Sequence, residues 1–288
     1  MANPKHKRLF PLLKWPGGKY RIAKRLIPHF PEHTTYVEPF AGGASIFFQK
    51  PPAEYNVLGD LDPYVWKFYR DARNGKMKKC RGGIRNTDAV LKKAEKSNHP
   101  CFKMAHTMMT YQGKRSGSFR PKQKIIATKK MKNLAEYERR LRKAHIVGTG
   151  FDETMRRFDG PDAFHFLDPP WPLASKYSEQ NYHGGKTRVS KIAEKNLGAT
   201  NDRRAFDPFY VKNQCNKLEG AVMMIYGDHP DVRAMMKEAQ KEGWDVRQAQ
   251  VDTFASTSRV MKPNLIAMKP YGRITKKKRR RRSRRKVR

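Results

Sequence analysis

Cysteine is scarce in this chain of 288 residues, and no metal-binding spacing is visible. The three cysteines, Cys80, Cys101 and Cys215, lie far apart and form no CxxC pair. The sequence therefore predicts neither a disulfide framework nor a zinc site, and it favours a reducing compartment. The nine histidines show no ligand spacing either, so we expect no bound metal.

Long apolar runs are also missing. No stretch approaches the roughly 18 apolar residues that mark a transmembrane helix, so we expect no membrane span. The first residues are basic but include no apolar core, so no signal peptide is predicted. No internal repeat is present, and the length fits one sizeable domain, or one domain with an insertion.

Acidic residues are few in comparison with basic ones. Lysine and arginine number 63 and aspartate and glutamate 26, which gives a net charge of +37. Residues 273–288 contain 12 of the basic residues and no acid, yet the other 272 residues still carry +25. A body this basic repels itself unless it meets a polyanion, so nucleic acid is the first candidate partner and an anionic membrane surface the weaker one. The terminal run has almost nothing to bury and is expected to be disordered.

Strands alternate with helices in the first 75 residues and again after Gly150. This alternation predicts an α/β protein with a mostly parallel, doubly wound sheet. From about residue 76 to 148, basic and helical segments such as 133–145 dominate, and we expect this stretch to be an insertion outside the sheet. The expected strands are 36–38, 55–59, 164–167, 221–226, 244–251 and 265–268. The expected helices are 19–29, 44–49, 62–74, 202–218 and 231–242.

The most informative motif is Asp168-Pro169-Pro170-Trp171, which ends the predicted strand 164–167. Its carboxylate and neighbouring carbonyls accept hydrogen bonds, whereas the prolines remove N–H donors and fix φ. The indole ring offers a flat face on which a planar base can stack. An acceptor cluster beside a stacking surface suits the exocyclic amine of a nucleobase drawn out of its helix. The simpler alternative is a strand-ending turn that happens to contain a Trp.

Two glycine turns and an acidic strand end extend the candidate site. Residues 36–45 follow the pattern strand, acid, Gly-Gly turn and helix, and Gly42 allows the backbone to approach a ligand closely. Asp60 ends the next strand, where doubly wound folds place an acid that binds ribose, although a turn or capping role is the alternative. Segment 14–19 contains Gly-Gly-Lys but lacks the pattern of a phosphate loop. Its Trp and Lys either line a pocket for a small polar ligand or form an ordinary exposed turn.

Together these motifs resemble the Dam-type family of adenine-specific DNA methyltransferases. Five elements occur in the family's order, namely KWPGGK, VEPFAGGAS, GDLDP, a basic insertion and LDPPW. The later segments IYGDHP and NLIAMKPY match more weakly, and the resemblance covers roughly residues 11–272. It implies a class I S-adenosylmethionine-dependent methyltransferase fold, a Rossmann-like sheet with an inserted, mainly helical target-recognition region. The implied boundaries are 1–75 and 149–272 for the catalytic domain, 76–148 for the recognition region and 273–288 for the tail.

The resemblance also implies roles for individual residues. The implied catalytic residues are Asp168, Pro169 and Trp171. The implied contacts with S-adenosylmethionine are Trp15, Gly18, Lys19, Glu38, Pro39, Phe40, Gly42, Asp60, Phe151 and Asp168. The candidate DNA-binding residues are Lys14, Tyr111, Lys114, Arg115, Arg120 and Lys122. Two positions depart from the family's usual pattern: Trp171, where Tyr is usual, and Ala44, where Gly is commoner.

The activity implied by the resemblance is site-specific transfer of a methyl group to N6 of a flipped-out adenine in double-stranded DNA. A monomer without metal is expected, in the cytoplasm at the nucleoid of a prokaryote or its virus, or in the nucleus of a eukaryote. Arg115 and Arg120 either read guanine edges or contact only phosphates. Methylation of RNA adenine or of cytosine N4 is the first alternative. The second is a basic nucleic-acid-binding protein on an inactive methyltransferase scaffold.

Overall fold

A sheet of seven strands organises the part of the chain that the structure, a computed structural model, describes. The described residues are 7–15, 17–78, 99–109, 130, 132–170, 207–249 and 264–274. The strands are β1 (Thr35–Glu38), β2 (Tyr55–Gly59), β3 (Ala144–Val147), β4 (Ala163–Leu167), β5 (Ala221–Gly227), β6 (Asp245–Ala249) and β7 (Asn264–Lys269).

The spatial order of the strands is β3-β2-β1-β4-β5-β7-β6. Strands β1 to β5 pair in parallel, whereas β7 runs antiparallel to both β5 and β6. The chain moves outward from β1 to β2 and β3 and later returns to β4 on the other side of β1. The carboxyl ends of β1 and β4 therefore flank a topological switch point, which is where open α/β sheets bind ligands. The expected class I methyltransferase fold is confirmed.

The central strands form where the sequence contains uninterrupted apolar runs. Every residue of β4 and of β5 is buried, as expected for strands covered on both faces. Phe164 and Phe166 of β4 point into one hydrophobic cluster, whereas Leu167 belongs to the cluster on the opposite face. The sheet is thus packed between two apolar layers.

Helices cover both faces of the sheet. Their bounds are α1 (Ala23–Leu26), α2 (Ser45–Gln49), α3 (Pro63–Arg73), α4 (Pro100–Met109), α5 (Leu134–Arg142), α6 (Phe151–Arg157), α7 (Pro208–Cys215) and α8 (Pro230–Lys241). Asp62, Asp207 and His229 cap α3, α7 and α8 by accepting hydrogen bonds from backbone N–H groups of the first turn. The predicted helix at 202–218 is observed from Pro208 onward, and residues 202–206 lie outside the described ranges.

Two predicted elements differ from the structure. The helix expected at 19–29 is broken into α1 and two short 3₁₀ segments, Lys19–Arg21 and Ile27–His29, because Pro28 lacks the N–H that a continuous helix needs. The helix expected at 133–145 ends at Arg142, and β3 follows it and pairs with β2. The sheet therefore includes the last residues of the range 76–148 assigned to the insertion. The remaining domain boundaries stay predictions.

The cysteines and the start of the tail also need comment. Cys101 takes part in a disulfide and Cys215 is a buried free thiol, so the expectation of unpaired cysteines is wrong for Cys101. Sequence spacing reveals only cysteines that are close along the chain, whereas folding can bring distant ones together. At the start of the tail, Arg273 forms an ion pair with Glu219. The predicted disorder of residues 275–288 lies outside the described residues.

Candidate active site

The candidate site lies at the switch point of the sheet. Glu38 ends β1, Asp60 follows β2 and Asp168 follows β4, so three carboxylates are placed at the carboxyl ends of adjacent parallel strands. Residues 14–19 complete the site from the N-terminal side, where Lys19 reaches Asp168. The structure therefore brings together four motifs that are separated by up to 149 residues in the sequence.

Asp168 forms an ion pair with Lys19. The Lys19 ammonium Nζ lies 2.6 Å from Asp168 Oδ1 and donates a second hydrogen bond to the Gly17 carbonyl at 2.7 Å. The side chains are 9% and 24% exposed respectively, so the pair is largely shielded from water. Burial raises the pKa of Asp168 above its ordinary value, and the charge and hydrogen bond of Lys19 oppose this rise. This pairing was not foreseen from the sequence, which suggested Lys19 only as a cofactor contact.

The structure describes the predicted catalytic motif 168–171 as far as Pro170. Pro169 is buried, and Asp168 and Pro170 are half-buried at the end of the fully buried strand β4. A rigid strand of this kind fixes where the carboxylate and the Pro169 carbonyl lie. Trp171, the predicted stacking residue, lies outside the described residues, and its role stays a prediction.

Asp60 holds the glycine turn that follows β1. Its Oδ2 accepts a hydrogen bond from the Gly42 backbone N–H at 2.8 Å, and its Oδ1 accepts one from the Asp62 N–H at 2.9 Å. Desolvation raises the pKa of Asp60 to about 7, although both hydrogen bonds oppose the shift. The Tyr69 hydroxyl donates to the Gly42 carbonyl at 2.9 Å and fixes the other side of this peptide. Sequence reasoning missed Tyr69, since no motif distinguishes it from other aromatic residues of α3.

Trp15 lies directly against this glycine turn. A Cβ atom on Gly42 would lie 2.6 Å from Trp15 Cδ1, and one on Gly43 would lie 3.1 Å from the Leu13 carbonyl oxygen. The indole also stacks near Tyr64, with the ring centroids 6.5 Å apart. A Cβ atom on Gly18 would similarly lie 3.2 Å from the Trp15 carbonyl oxygen. The first and second motifs of the sequence are thus packed face to face.

Glu38 contacts the backbone of α2. Its Oε2 accepts hydrogen bonds from the Tyr36 hydroxyl at 2.8 Å and from the Phe47 N–H at 3.1 Å. It therefore stabilises the start of α2, for which the N-cap residue Ala44 supplies no side-chain bond. Burial is the main reason that the pKa of Glu38 is raised to about 8, and the nearby Asp168 charge adds to the rise. Contact of Glu38 and Pro39 with the cofactor stays a prediction.

Three aromatic rings pack together on the segment after β1 and on helices α6 and α7. Phe40 stacks on Phe151 with a centroid distance of 5.1 Å and an interplanar angle of 24°, and Tyr210 meets Phe151 edge-on at 6.2 Å. Helix α6, which begins at Phe151, approaches the end of β2 closely, because a Cβ on Gly59 would lie 2.8 Å from Thr154 Cγ2. Contact of Phe40 and Phe151 with the cofactor stays a prediction.

Most of the predicted DNA-binding residues lie outside the described ranges. This applies to Tyr111, Lys114, Arg115, Arg120 and Lys122, whereas Lys14 is half-buried in the N-terminal segment. Their part in DNA binding stays a prediction.

Buried residues near the end of the basic stretch attach it to the catalytic body. Lys130 Nζ donates to the Leu12 carbonyl at 2.8 Å, the Tyr137 hydroxyl to Phe10 at 2.7 Å, and Arg140 to Lys50 at 2.8 Å. Sequence reasoning missed these residues. In a basic segment, the sequence does not distinguish a buried Lys or Arg from one on the surface, and no motif marks Tyr137.

Metal ligands and membrane spans can be assessed for the described part of the chain. No group of three His, Cys, Asp or Glu side chains there is arranged to hold a metal ion. No helix of that part is long and apolar enough to cross a bilayer.

Comparisons with known proteins agree with the motifs. Residues 15–109 match a family model described as D12 class N6 adenine-specific DNA methyltransferase. The type II methyltransferase M.CviBI of Paramecium bursaria Chlorella virus NC1A is 27% identical over 56% of this chain and 68% of its own length. A DNA adenine methylase of Vibrio cholerae serotype O1 is 40% identical over 57 residues, which make up 20% of either chain. The matched residues thus span about two thirds of the viral relative and a fifth of the bacterial one.

Proposed function

We propose that this chain is a site-specific DNA methyltransferase acting on N6 of a flipped-out adenine, because residues 15–109 match the family model of the D12 class of N6 adenine-specific DNA methyltransferases. The observation that supports this most strongly is the position of Asp168. Its carboxylate stands at the carboxyl end of β4, next to β1 and its glycine turn, where doubly wound folds place the ligands of a reaction. The resemblance seen in the sequence agrees with the family match.

Asp168 and the Pro169 carbonyl act on the amine of the target base. Adenine N6 is a poor nucleophile because its lone pair is delocalised into the ring. By accepting both amine hydrogens, the two acceptors favour the pyramidal nitrogen of the transition state over the planar ground state. The nitrogen gains one methyl group and loses one proton, and an ionised Asp168 is placed to receive that proton before it passes to solvent.

The described residues fit S-adenosylmethionine as the methyl donor. Asp60 is a carboxylate at the carboxyl end of β2, beside the glycine turn, and such an acceptor suits a ligand with hydroxyl donors. We infer that Asp60 binds the ribose hydroxyls and that Phe40 and Phe151 enclose the adenine ring. S-adenosylmethionine supplies, when bound, a methyl group already activated on a cationic sulfur.

The remaining cofactor residues orient the ligand. Gly42 and Gly18 bring the backbone close to it, and Trp15 closes the crevice at the N-terminal side. Holding donor and acceptor in line at near-attack distance removes the entropic cost of their encounter, which is the largest task left to the protein. Trp171 stacks on the flipped base in this proposal.

Double-stranded DNA is the partner that the charge and the family indicate. In this proposal Lys114 and Lys122 of the recognition region 76–148 bind phosphates, and Arg115 and Arg120 bind guanine edges or further phosphates. The compartment in which the chain meets DNA follows its host: the nucleoid of a prokaryote or its virus, or the nucleus of a eukaryote.

Nucleoside analysis tests the proposed reaction. Duplex DNA is incubated with the protein and labelled S-adenosylmethionine, then digested to nucleosides, with RNA of matched sequence treated in parallel. We expect N6-methyladenosine only from the DNA, as the deoxynucleoside. Label in deoxycytidine or in RNA supports the first alternative instead, and absence of both label and cofactor binding supports the inactive scaffold.

A substitution at the catalytic carboxylate tests the mechanism. Asp168→Ala removes the acceptor of the amine hydrogen, so we expect methyl transfer to be abolished, a loss of at least about a thousandfold, while S-adenosylmethionine still binds in calorimetry. The matched control is Asp162→Ala, at the exposed amino end of the same strand, which is expected to remain active. Full activity of Asp168→Ala contradicts the assignment.

A further inference from the structure

The ion pair between Lys19 and Asp168 has no role in the proposed function as described so far. Lys19 begins the 3₁₀ segment Lys19–Arg21, and Asp168 follows β4, 149 residues later in the sequence. The Lys19 Nζ atom lies 2.6 Å from Asp168 Oδ1. An ammonium has three hydrogens, and two of them are given to Asp168 Oδ1 and to the Gly17 carbonyl. The side chain is thus fixed within the protein at both contacts.

The local backbone is built for this contact. Gly17 has a φ of +76°, a conformation that L residues rarely adopt, and this turn directs its carbonyl towards the Lys19 ammonium. The following residue, Tyr20, stacks on Phe10 with the ring centroids 4.8 Å apart, and the Ile22 N–H bonds to the Lys19 carbonyl. The lysine therefore has little freedom to leave the carboxylate.

Burial removes Asp168 from water and so opposes its ionisation. Glu38 and Tyr226 lie close enough for the Asp168 charge to raise their own pKa values, and neither supplies a positive charge. A protonated Asp168 would become a donor on one oxygen and would lose part of its capacity to accept the amine hydrogen. Among the described residues, Lys19 is the cation that pairs with this carboxylate.

We propose that Lys19 is a positioning residue for catalysis: it holds Asp168 Oδ1 and keeps the carboxylate ionised, so that Oδ2 is directed to the amine of the target base. This inference rests on the proposed function and gives Lys19 a role different from the direct cofactor contact implied by the family resemblance. This role predicts that kcat depends on pH, because the ionised carboxylate is the form that accepts a hydrogen bond from the target amine.

The sign of that dependence follows from the pair. Lys19 lowers the pKa of Asp168, so removing the ammonium raises it. At a given acidic pH a larger fraction of the enzyme then has a protonated Asp168. The acidic limb of the kcat profile therefore moves to higher pH, and the lost activity returns as the pH rises.

The test compares kcat on duplex DNA, with saturating S-adenosylmethionine, for the wild type, Lys19→Met, Lys19→Gln and Lys19→Arg. For Met and Gln we expect an acidic limb raised by at least about one pH unit, and therefore a kcat lowered about tenfold or more at pH values below the wild-type limb. Gln keeps a hydrogen-bond donor without the charge, so it reports the same result if Met fails to fold. Arg keeps the charge and should retain the wild-type profile.

Calorimetry on the Lys19 variants is expected to show S-adenosylmethionine affinity within about threefold of the wild type, a change of less than about 1 kcal/mol in binding free energy.

The control variant is Lys212→Met. Lys212 is also fully buried and paired with carboxylates, at 2.7 Å from Glu238 and 2.8 Å from Glu242, but it lies in α7. Its loss should leave the position of the limb unchanged. An unshifted limb in the Lys19 variants, or a weakened cofactor affinity with unchanged kcat, overturns the proposal. A wild type that makes no N6-methyladenine overturns the proposed function instead, so the two failures are distinguishable.

Discussion

Gly42 is the residue on which the packing of the site depends most closely. Its N–H binds Asp60, its carbonyl receives the Tyr69 hydroxyl, and its Cα lies against Trp15. Its φ of +43° is left-handed, so glycine serves here both for the backbone conformation and for the space. Three separate motifs meet at this one peptide.

Gly42→Ala is expected to weaken the site more than its backbone strain alone explains. The left-handed conformation costs a non-glycine residue about 1–2 kcal/mol, and the new methyl group would also collide with the Trp15 ring. We expect a loss of unfolding free energy greater than that cost, together with reduced S-adenosylmethionine affinity, measured by denaturant titration and calorimetry.

The matched control is Gly272→Ala. Gly272 has a φ of +90° and nothing within 4 Å of an added Cβ, so it reports the strain without the collision. If both substitutions have the same cost and leave cofactor affinity unchanged, close packing at Gly42 has no role in the site.

Individual residues were predictable where a strand end or a glycine turn marked them. Asp60, Gly42 and Asp168 lie at the expected edge of the sheet because parallel strands bring their carboxyl ends together. The pairing of Lys19 with Asp168 was not predictable, since side-chain contacts across 149 residues leave no local pattern. Ala44, noted as a departure from the family's Gly, is itself left-handed at φ 47°, which explains why Gly is the commoner residue there.

Among the elements, α3 supports the site through two aromatic residues. Tyr64 stacks near Trp15 and Tyr69 binds the Gly42 carbonyl, so the helix carries contacts to two motifs. Its start is set by Asp62, whose Oδ1 accepts the Tyr64 N–H at 2.7 Å, with Pro63 in the first turn. The geometry of the glycine turn therefore depends on a helix cap.

Asp62→Ala tests this dependence. Loss of the cap is expected to lower the unfolding free energy by about 1 kcal/mol and to weaken cofactor binding through the loosened contacts of Tyr64 and Tyr69. The comparison is His229→Ala, which removes the cap of α8, where the His229 ring accepts a hydrogen bond from the Asp231 N–H at 3.2 Å. That variant should lose similar stability and keep Gly42 in place. Equal effects of the two substitutions on cofactor affinity contradict a specific role of α3.

The central strands were predictable because they are buried. Strands β4 and β5 are buried throughout, and each follows an uninterrupted apolar run in the sequence. Strand β3 was missed because it is the partly exposed edge of the sheet and follows a basic helix, so its sequence lacks both signals. The break at Pro28 was missed although the sequence contains its signal, a proline without the N–H that a continuous helix needs.

At the scale of the whole molecule, we expect the fold to determine the chemistry and the net charge to determine the affinity for nucleic acid. The sheet positions the reacting groups, whereas the net charge of +37 supplies affinity for a polyanion. The terminal residues 275–288 hold 11 lysines and arginines and no acid, and we expect them to act as a nonspecific anchor to DNA.

Removal of residues 275–288 is expected to weaken DNA binding without lowering kcat. Each phosphate contact that is lost reduces the slope of log affinity against log salt by about 0.9, so the slope of the truncated protein should be shallower. Fluorescence anisotropy over a salt series measures it. A tail of equal length with glutamine in place of the basic residues separates charge from length. An unchanged slope in both variants shows that the tail does not bind the duplex.

The central claim is that this fold methylates adenine in DNA through Asp168. Single-molecule sequencing of DNA from cells that express the wild type or Asp168→Ala tests it most directly, because the method reports the modified base and its sequence context together. We predict N6-methyladenine within a defined sequence in the wild-type sample and none in the Asp168→Ala sample. Unmodified adenine in both samples, or equal modification in the two, contradicts the claim.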